Sequence, residues 1–252
     1  MLVAKSIKVL FFAITGLLTW IGFLYLTSED ESDEQLLKTA FYAYTVDPKI
    51  DRLDFVYKNA EGKRYSNINS LKIEAEQKSN KLIFATNGGM YKPDQSPVGL
   101  YIENGKTLTE IDKAKNGYGN FYLQPNGVLF IRDTGDASIV RTQDYVSKPN
   151  IKWATQSGPM LLVDKKINSL FGKKSTNKHI RNGVGVMPDG KLIFAMSKKT
   201  VTFHTLAKFF QQQGCVNALY LDGFVSRMYV AEGEDTPKQL DGNFGVIIRV
   251  VK

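Results

Sequence analysis

The stretch Val184-Gly185-Val186-Met187-Pro188-Asp189-Gly190-Lys191-Leu192-Ile193-Phe194-Ala195-Met196 decides the fold class. Two apolar runs flank Asp-Gly, and a short Gly-containing turn between apolar runs predicts a β-hairpin. The arrangement recurs. Asn104-Gly105 separates the run 99–103 from 106–111, and Asn126-Gly127 separates 121–124 from 128–132. Further strands are predicted over 82–86, 153–157, 218–221, 227–230 and 244–251. Two stretches read as helices instead. One runs from Ile68 to about Lys78 with Ile68, Leu71, Ile73 and Ala75 apolar; the other covers 203–213, with Thr202 as N-cap and Gly214 at its C-terminal end. Many strands with a few interspersed helices predict an α+β fold: one domain of mixed or antiparallel sheet with several hairpins, spanning 41–252.

The N-terminus reads differently. Val9 to Leu26 is 18 residues without a charged side chain, long enough to span the hydrocarbon of a bilayer as a transmembrane helix. Lys5 and Lys8 precede it, and Glu29, Asp30, Glu31, Asp33 and Glu34 follow. The lysine side stays in the cytoplasm, so the remainder is expected outside, periplasmic or extracellular, on a single-pass anchor in the cytoplasmic membrane. No small-x-small cleavage site follows Leu26, which favours an uncleaved signal-anchor over a cleaved signal peptide. The expected division is an anchor over 1–28, an acidic linker over 29–40 and the folded domain over 41–252.

Composition narrows the function. Formal net charge is +8, from 33 basic and 25 acidic residues. The lysines are scattered, with no basic block or basic amphipathic helix, so nucleic acid is not the expected partner. A mildly basic surface suits an anionic substrate. The single cysteine, Cys215, excludes an internal disulfide and reads as a buried packing residue. With two histidines and one cysteine, a zinc site of the usual Cys/His kind is nearly excluded, and no cofactor is expected; a carboxylate-bound divalent cation stays open. No nucleophile elbow, phosphate-binding P-loop or H-E-x-x-H motif is present.

Chemistry-bearing residues gather where predicted strands give way to Gly or Pro. Thr86-Asn87-Gly88-Gly89-Met90-Tyr91 follows one strand, Gln156-Ser157-Gly158-Pro159 a second, and Asp222-Gly223-Phe224-Val225-Ser226 a third. Glycine at such positions lets backbone amides approach a ligand closely, phosphate included. A strand-end carboxylate such as Asp222 can be presented to a cleft; an Asp-Gly turn explains the same residues without one. Arg181 precedes the strand that starts near Gly183, and a guanidinium can grip phosphate with two hydrogen bonds. His204 opens the second helix and reads as a surface or packing residue.

In order along the chain, Asn87-Gly88-Gly89-Met90, Pro97-Val98-Gly99, the run from Asn120 to Gly127, Gln156-Ser157-Gly158-Pro159, Arg181 with Gly183 and Gly185, and Leu221-Asp222-Gly223 with Ser226 resemble the phosphodiester glycosidase family, in its bacterial exported branch. The resemblance covers roughly 60–250. It implies hydrolysis of a sugar-1-phosphodiester, with a phosphate-linked glycan as substrate. It also implies a pocket of Asn87, Gln156, Ser157, Arg181, Asp222 and Ser226. On that basis Asp222 and Arg181 are the expected catalytic residues, and Asn87, Gly88, Gly89, Gln156, Ser157, Gly158, Gly223 and Ser226 the expected substrate contacts. Where the family commonly shows Asp-Gly-Gly-x-Ser, this chain carries Phe224 at the second glycine, as a subgroup with a different substrate would. The competing function is a non-catalytic envelope protein that holds phosphate-linked glycans in the same cleft.

Overall fold

The hairpin that opened the sequence reading is formed. In the computed structural model, which describes Leu37 and residues 39–222 and 225–252, Val184 pairs with Phe194 and Val186 with Leu192. Gly190 closes the turn at φ +86°, a conformation glycine adopts without steric cost, and its N–H reaches Met187 O at 3.0 Å. The proposed anchor and, apart from Leu37, Thr39 and Ala40, the acidic linker lie outside the described residues, as do Gly223 and Phe224. Among the described residues, no helix is long and apolar enough to cross a membrane.

In chain order the strands are β1 (Phe41–Val46), β2 (Arg52–Val56), β3 (Leu82–Asn87), β4 (Tyr101–Glu103), β5 (Lys106–Thr109), β6 (Gly127–Arg132), β7 (Ala137–Arg141), β8 (Ile151–Ser157), β9 (Met160–Val163), β10 (Lys166–Ile167), β11 (Asn182–Val186), β12 (Leu192–Ser197), β13 (Asn217–Tyr220), β14 (Met228–Val230) and β15 (Ile247–Val251). Helix α1 is Ile68–Gln77 and α2 is Phe203–Gln212. The strands form three sheets, ordered β1-β12-β11-β13-β9-β10, β14-β3-β15-β2 and β5-β4-β8-β6-β7, and their ladders are antiparallel. These strands and helices belong to the compact unit Phe41–Lys252. One apolar cluster joins all three sheets: Val184, Phe194 and Leu219 from the first, Phe55, Phe84 and Ile248 from the second, Leu129 and Trp153 from the third. The fold is mostly β-sheet with few helices.

One of the three expected hairpins is absent. Residues 121–124 make no strand; Asn120–Tyr122 is a 3-10 turn. Pro125 has no N–H to offer a ladder, and Asn126 Nδ2 donates instead to Phe121 O at 3.2 Å. Gly127 opens β6, whose hairpin partner is β7.

Both helices cap as the sequence predicts for α2. Thr202 Oγ1 accepts Thr205 N–H at 3.1 Å, and Asn67 Oδ1 accepts Ser70 N–H at 2.9 Å at the start of α1. Helix α1 lays Ile68, Leu71 and Ala75 on the second sheet. Ile73, expected on that stripe, is 45% exposed, because the helical period turns it away from the other three. Helix α2 covers the first sheet. Gly183 and Gly185 of β11 make this approach possible, since a Cβ at either would collide with Phe210, and at Gly185 with Cys215 as well. Cys215 is therefore a buried packing residue, its thiol pushed up to about 12 by burial.

Where α1 meets β15, Glu74 accepts hydrogen bonds from Tyr65 Oη at 2.7 Å, Lys78 Nζ at 2.7 Å and Arg249 Nη1 at 2.9 Å. Burial opposes its charge, but these bonds outweigh it and hold the carboxyl down at about 2 against an ordinary 4.5. A depressed carboxyl stabilises the fold above its unfolded pKa, and that contribution fades as pH falls toward 2. Glu74→Gln is therefore expected to lower stability at pH 7 and to lose most of that penalty by about pH 2.5. Urea unfolding at both pH values checks this; an equal penalty at both would show that charge plays no part.

Candidate active site

Two sheets bring their strand ends together at Asn87, the last residue of β3. Its side chain is 1% exposed, and both ends of its amide are hydrogen-bonded. Nδ2 donates to Asp222 O at 2.8 Å. Oδ1 accepts Arg227 N–H at 3.0 Å and Asn182 Nδ2 at 3.0 Å. Asn182 opens β11 in the neighbouring sheet, so this contact ties the two sheets at their rims. Ser226 Oγ donates to Asn182 Oδ1 at 3.2 Å, and Thr86 Oγ1 to Arg227 O at 2.9 Å. The sequence reading missed Asn182. Its only local signal was a polar residue at the start of an apolar strand.

Asp222 lies two residues past the end of β13, and its N–H points to Gly88 O at 3.4 Å. Tyr91 stands close enough to sense it. Burial first, and then the negative charge of Asp222, push the Tyr91 phenol up to about 12. Tyr91 is thus a neutral hydroxyl beside the carboxylate at any physiological pH.

Arg181 occupies the opposite face of β11 from Asn182, as strand alternation requires. Continuing the β11–β13 register past Gly183↔Tyr220 sets its backbone across from Asp222. Its side chain turns toward α2. The guanidinium lies 3.7 Å over the Phe203 ring, and Nε donates to Val201 O at 2.9 Å. Nη1 donates to Tyr220 Oη at 3.3 Å, and Nη2 to Asn177 Oδ1 at 2.6 Å. The residue is 1% exposed, and its partners among the described residues are neutral acceptors and rings. Burial pulls its pKa below the ordinary arginine value, and the Tyr220 oxygen opposes that. A guanidinium still keeps its proton.

The remaining expected contacts are occupied by the protein itself. Gln156 Oε1 accepts Leu100 N–H at 2.9 Å and Asp112 N–H at 3.0 Å. Its Nε2 donates to Asp112 O at 2.6 Å and Thr142 Oγ1 at 3.2 Å. An amide offers two donors and two acceptor sites, so nothing remains for a sugar. Gly88 N–H is bound to Val246 O at 2.8 Å rather than free for phosphate. A Cβ at Gly89 would lie 2.5 Å from Gln156 O, and one at Gly158 would lie 2.7 Å from Phe121 O. These glycines admit neighbouring chain. Ser157 differs: its Oγ is fully buried and has no hydrogen-bond partner among the described residues. It shares a face of β8 with Thr155, whose hydroxyl packs against Gly89. His204 sits at the start of α2, its pKa lowered by burial and then by Lys173 and Lys208. Among the described residues, no three His, Cys, Asp or Glu side chains come together as a metal site.

The rim therefore carries a strand-end carboxylate, a neutral phenol and a buried cation one strand away. Residues 80–248 match the phosphodiester glycosidase family. A curated Escherichia coli relative, the uncharacterized protein YigE, is 34% identical over 193 residues, which span 76% of this chain and 74% of that protein. The chain belongs to the phosphodiester glycosidase family. Solved structures share its fold at low identity. One is the zebrafish N-acetylglucosamine-1-phosphodiester alpha-N-acetylglucosaminidase catalytic domain, auto-inhibited by its pro-peptide: TM-score 0.57, 15% identity, covering 84% of this chain and 83% of that one. Another is a putative exported protein from Burkholderia pseudomallei: TM-score 0.55, 10% identity, covering 83% and 73%.

If Gln156 is a loop staple, Gln156→Ala should cost about 2–3 kcal/mol by stranding the Leu100 and Asp112 amides. It should also hasten proteolysis between Gly99 and Asp112. Urea melts and limited digestion read both; unchanged stability with weakened ligand binding would return Gln156 to the pocket.

Proposed function

We propose that this chain hydrolyses a sugar-1-phosphodiester bond in an envelope or extracellular glycan, held at the cytoplasmic membrane by its N-terminal segment with the domain outside. Family membership supports the hydrolase class. The observation that carries the site assignment is the pinning of Asp222 by Asn87, at 2.8 Å, beside the neutral Tyr91. The proposed locations rest on the apolar run 9–26 and the lysines before it.

A phosphate-linked sugar carries a good leaving group, so less acid assistance is needed than for an ordinary glycoside, and the transition state has oxocarbenium character. Asp222 stabilises that positive charge or takes a proton from the attacking water. Tyr91, un-ionised, can donate a hydrogen bond to a phosphate oxygen. Arg181 acts differently from the expected bidentate clamp. Its N–H groups are directed at Asn177, Val201 and Tyr220, so it contributes its field rather than a direct grip.

The test is turnover of sugar-1-phosphodiesters and nucleotide sugars by the full chain in detergent, with Asp222→Asn as control. Free sugar should be released by the wild type and fall by about 10²–10⁴-fold in the variant, the range for loss of a general base. Near-full activity in Asp222→Asn would reject the assignment. Tight binding without release would make the protein a glycan binder.

A further inference from the structure

We propose that Asn182, too deeply buried to touch substrate, positions Asp222 through Asn87. The inference rests on the hydrolase reading for its catalytic consequence, but the contacts stand independently of it.

The proton pattern of the network has one solution. Asn87 must present its oxygen to the Arg227 N–H, because a backbone amide can only donate. It must present its nitrogen to Asp222 O, because a carbonyl can only accept. That settles the orientation of the Asn87 amide. Asn182 faces the same Asn87 oxygen at 3.0 Å, so it must point its nitrogen there. The same nitrogen lies 3.2 Å from Thr86 Oγ1 and 3.3 Å from Asn87 O. The Asn182 oxygen is left to accept the Ser226 hydroxyl at 3.2 Å. A directed chain thus runs from Ser226 through Asn182 and Asn87 to the backbone of Asp222.

Asn182 sits on β11, ordered by β12 on one side and β13 on the other. Asn87 ends β3 in a different sheet. The loop from Asp222 to Arg227 is attached to this frame at both ends by the Asn87 amide, and Asn182 holds that amide in register. At 1% exposure neither asparagine reaches solvent. Their effect on a reaction must pass through the groups they hold, and a displacement of about 1 Å at a catalytic group can cost about 10²-fold in rate.

Asn182→Asp keeps the shape and removes the donor, setting carboxylate against the Asn87 oxygen. In the full-length variant, hydrogen exchange in the peptide covering 221–228 should quicken by about tenfold or more, with the β12 peptide unchanged. At a temperature where circular dichroism shows it folded, kcat should fall by about tenfold or more with KM within about threefold, the signature of an interaction that matters only at the transition state. Asn182→Ala carries the same expectations if the charged variant does not fold. Unchanged exchange over 221–228 overturns the proposal, whether or not the wild type turns over a sugar phosphodiester. So does kcat held within about twofold, or a raised KM at constant kcat, which would make Asn182 a substrate contact. An inactive wild type with quickened exchange in the variant would reject the hydrolase reading and leave the positioning intact.

Discussion

One side-chain amide holds the rim of this molecule together. Asn87 fastens the carbonyl of Asp222, the N–H of Arg227 and the side chain of Asn182, three groups that no ladder hydrogen bond serves. A buried polar group left unpaired costs about 1–3 kcal/mol, so losing the amide would strand several at once. Where the strand ends of two sheets meet, Asn87 completes their hydrogen bonding. Arg227 reinforces the arrangement from outside, where its guanidinium grips Asp241 through two contacts of 2.8 and 2.9 Å.

The rest of the architecture serves that meeting. Antiparallel sheets can be covered on one side only, and here each of the three turns an apolar face into the common cluster. The first sheet needs cover on its other face, and α2 supplies it by packing on the two glycines of β11. That same approach brings Phe203 over Arg181. The packing of a helix on a sheet and the environment of the buried cation are thus one event, which explains why Gly183 and Gly185 follow Arg181 at alternate positions.

Local chemistry was legible in the sequence, and long-range chemistry was not. Asp189-Gly190 and Asn104-Gly105 make hairpins because their turns supply positive φ locally: Gly190 stands at +86°, and Asn104 and Gly105 at +49° and +79°. Asn126-Gly127 carries the same letters, but Pro125 before it removes the ladder donor, so the pattern misleads. At the site, Asp222, Asn87, Ser226 and Arg181 were readable as polar residues at strand ends. Whether such a residue faces a ligand or its own chain depends on what packs against it from far away. Gln156 is filled by residues 44 and 56 positions distant, and Asn182 by partners up to 96 away. Nothing in the neighbouring letters distinguishes these cases. The glycines are ambiguous for the same reason, since close approach by neighbouring chain and by phosphate demand the same missing side chain.

Electrostatics gives the pairing of Asp222 with Arg181 its sense. A carboxylate at the rim would help a developing oxocarbenium but repel a phosphodiester anion. For unit charges about 8 Å apart at an effective dielectric near 20, that repulsion is roughly 2 kcal/mol. A surface arginine would be screened and could swing away. Arg181 is buried, stacked on Phe203 and bonded to neutral acceptors, and among the described residues no carboxylate pairs with it. The field of a cation so placed opposes the repulsion that a phosphodiester would meet from a carboxylate one strand away.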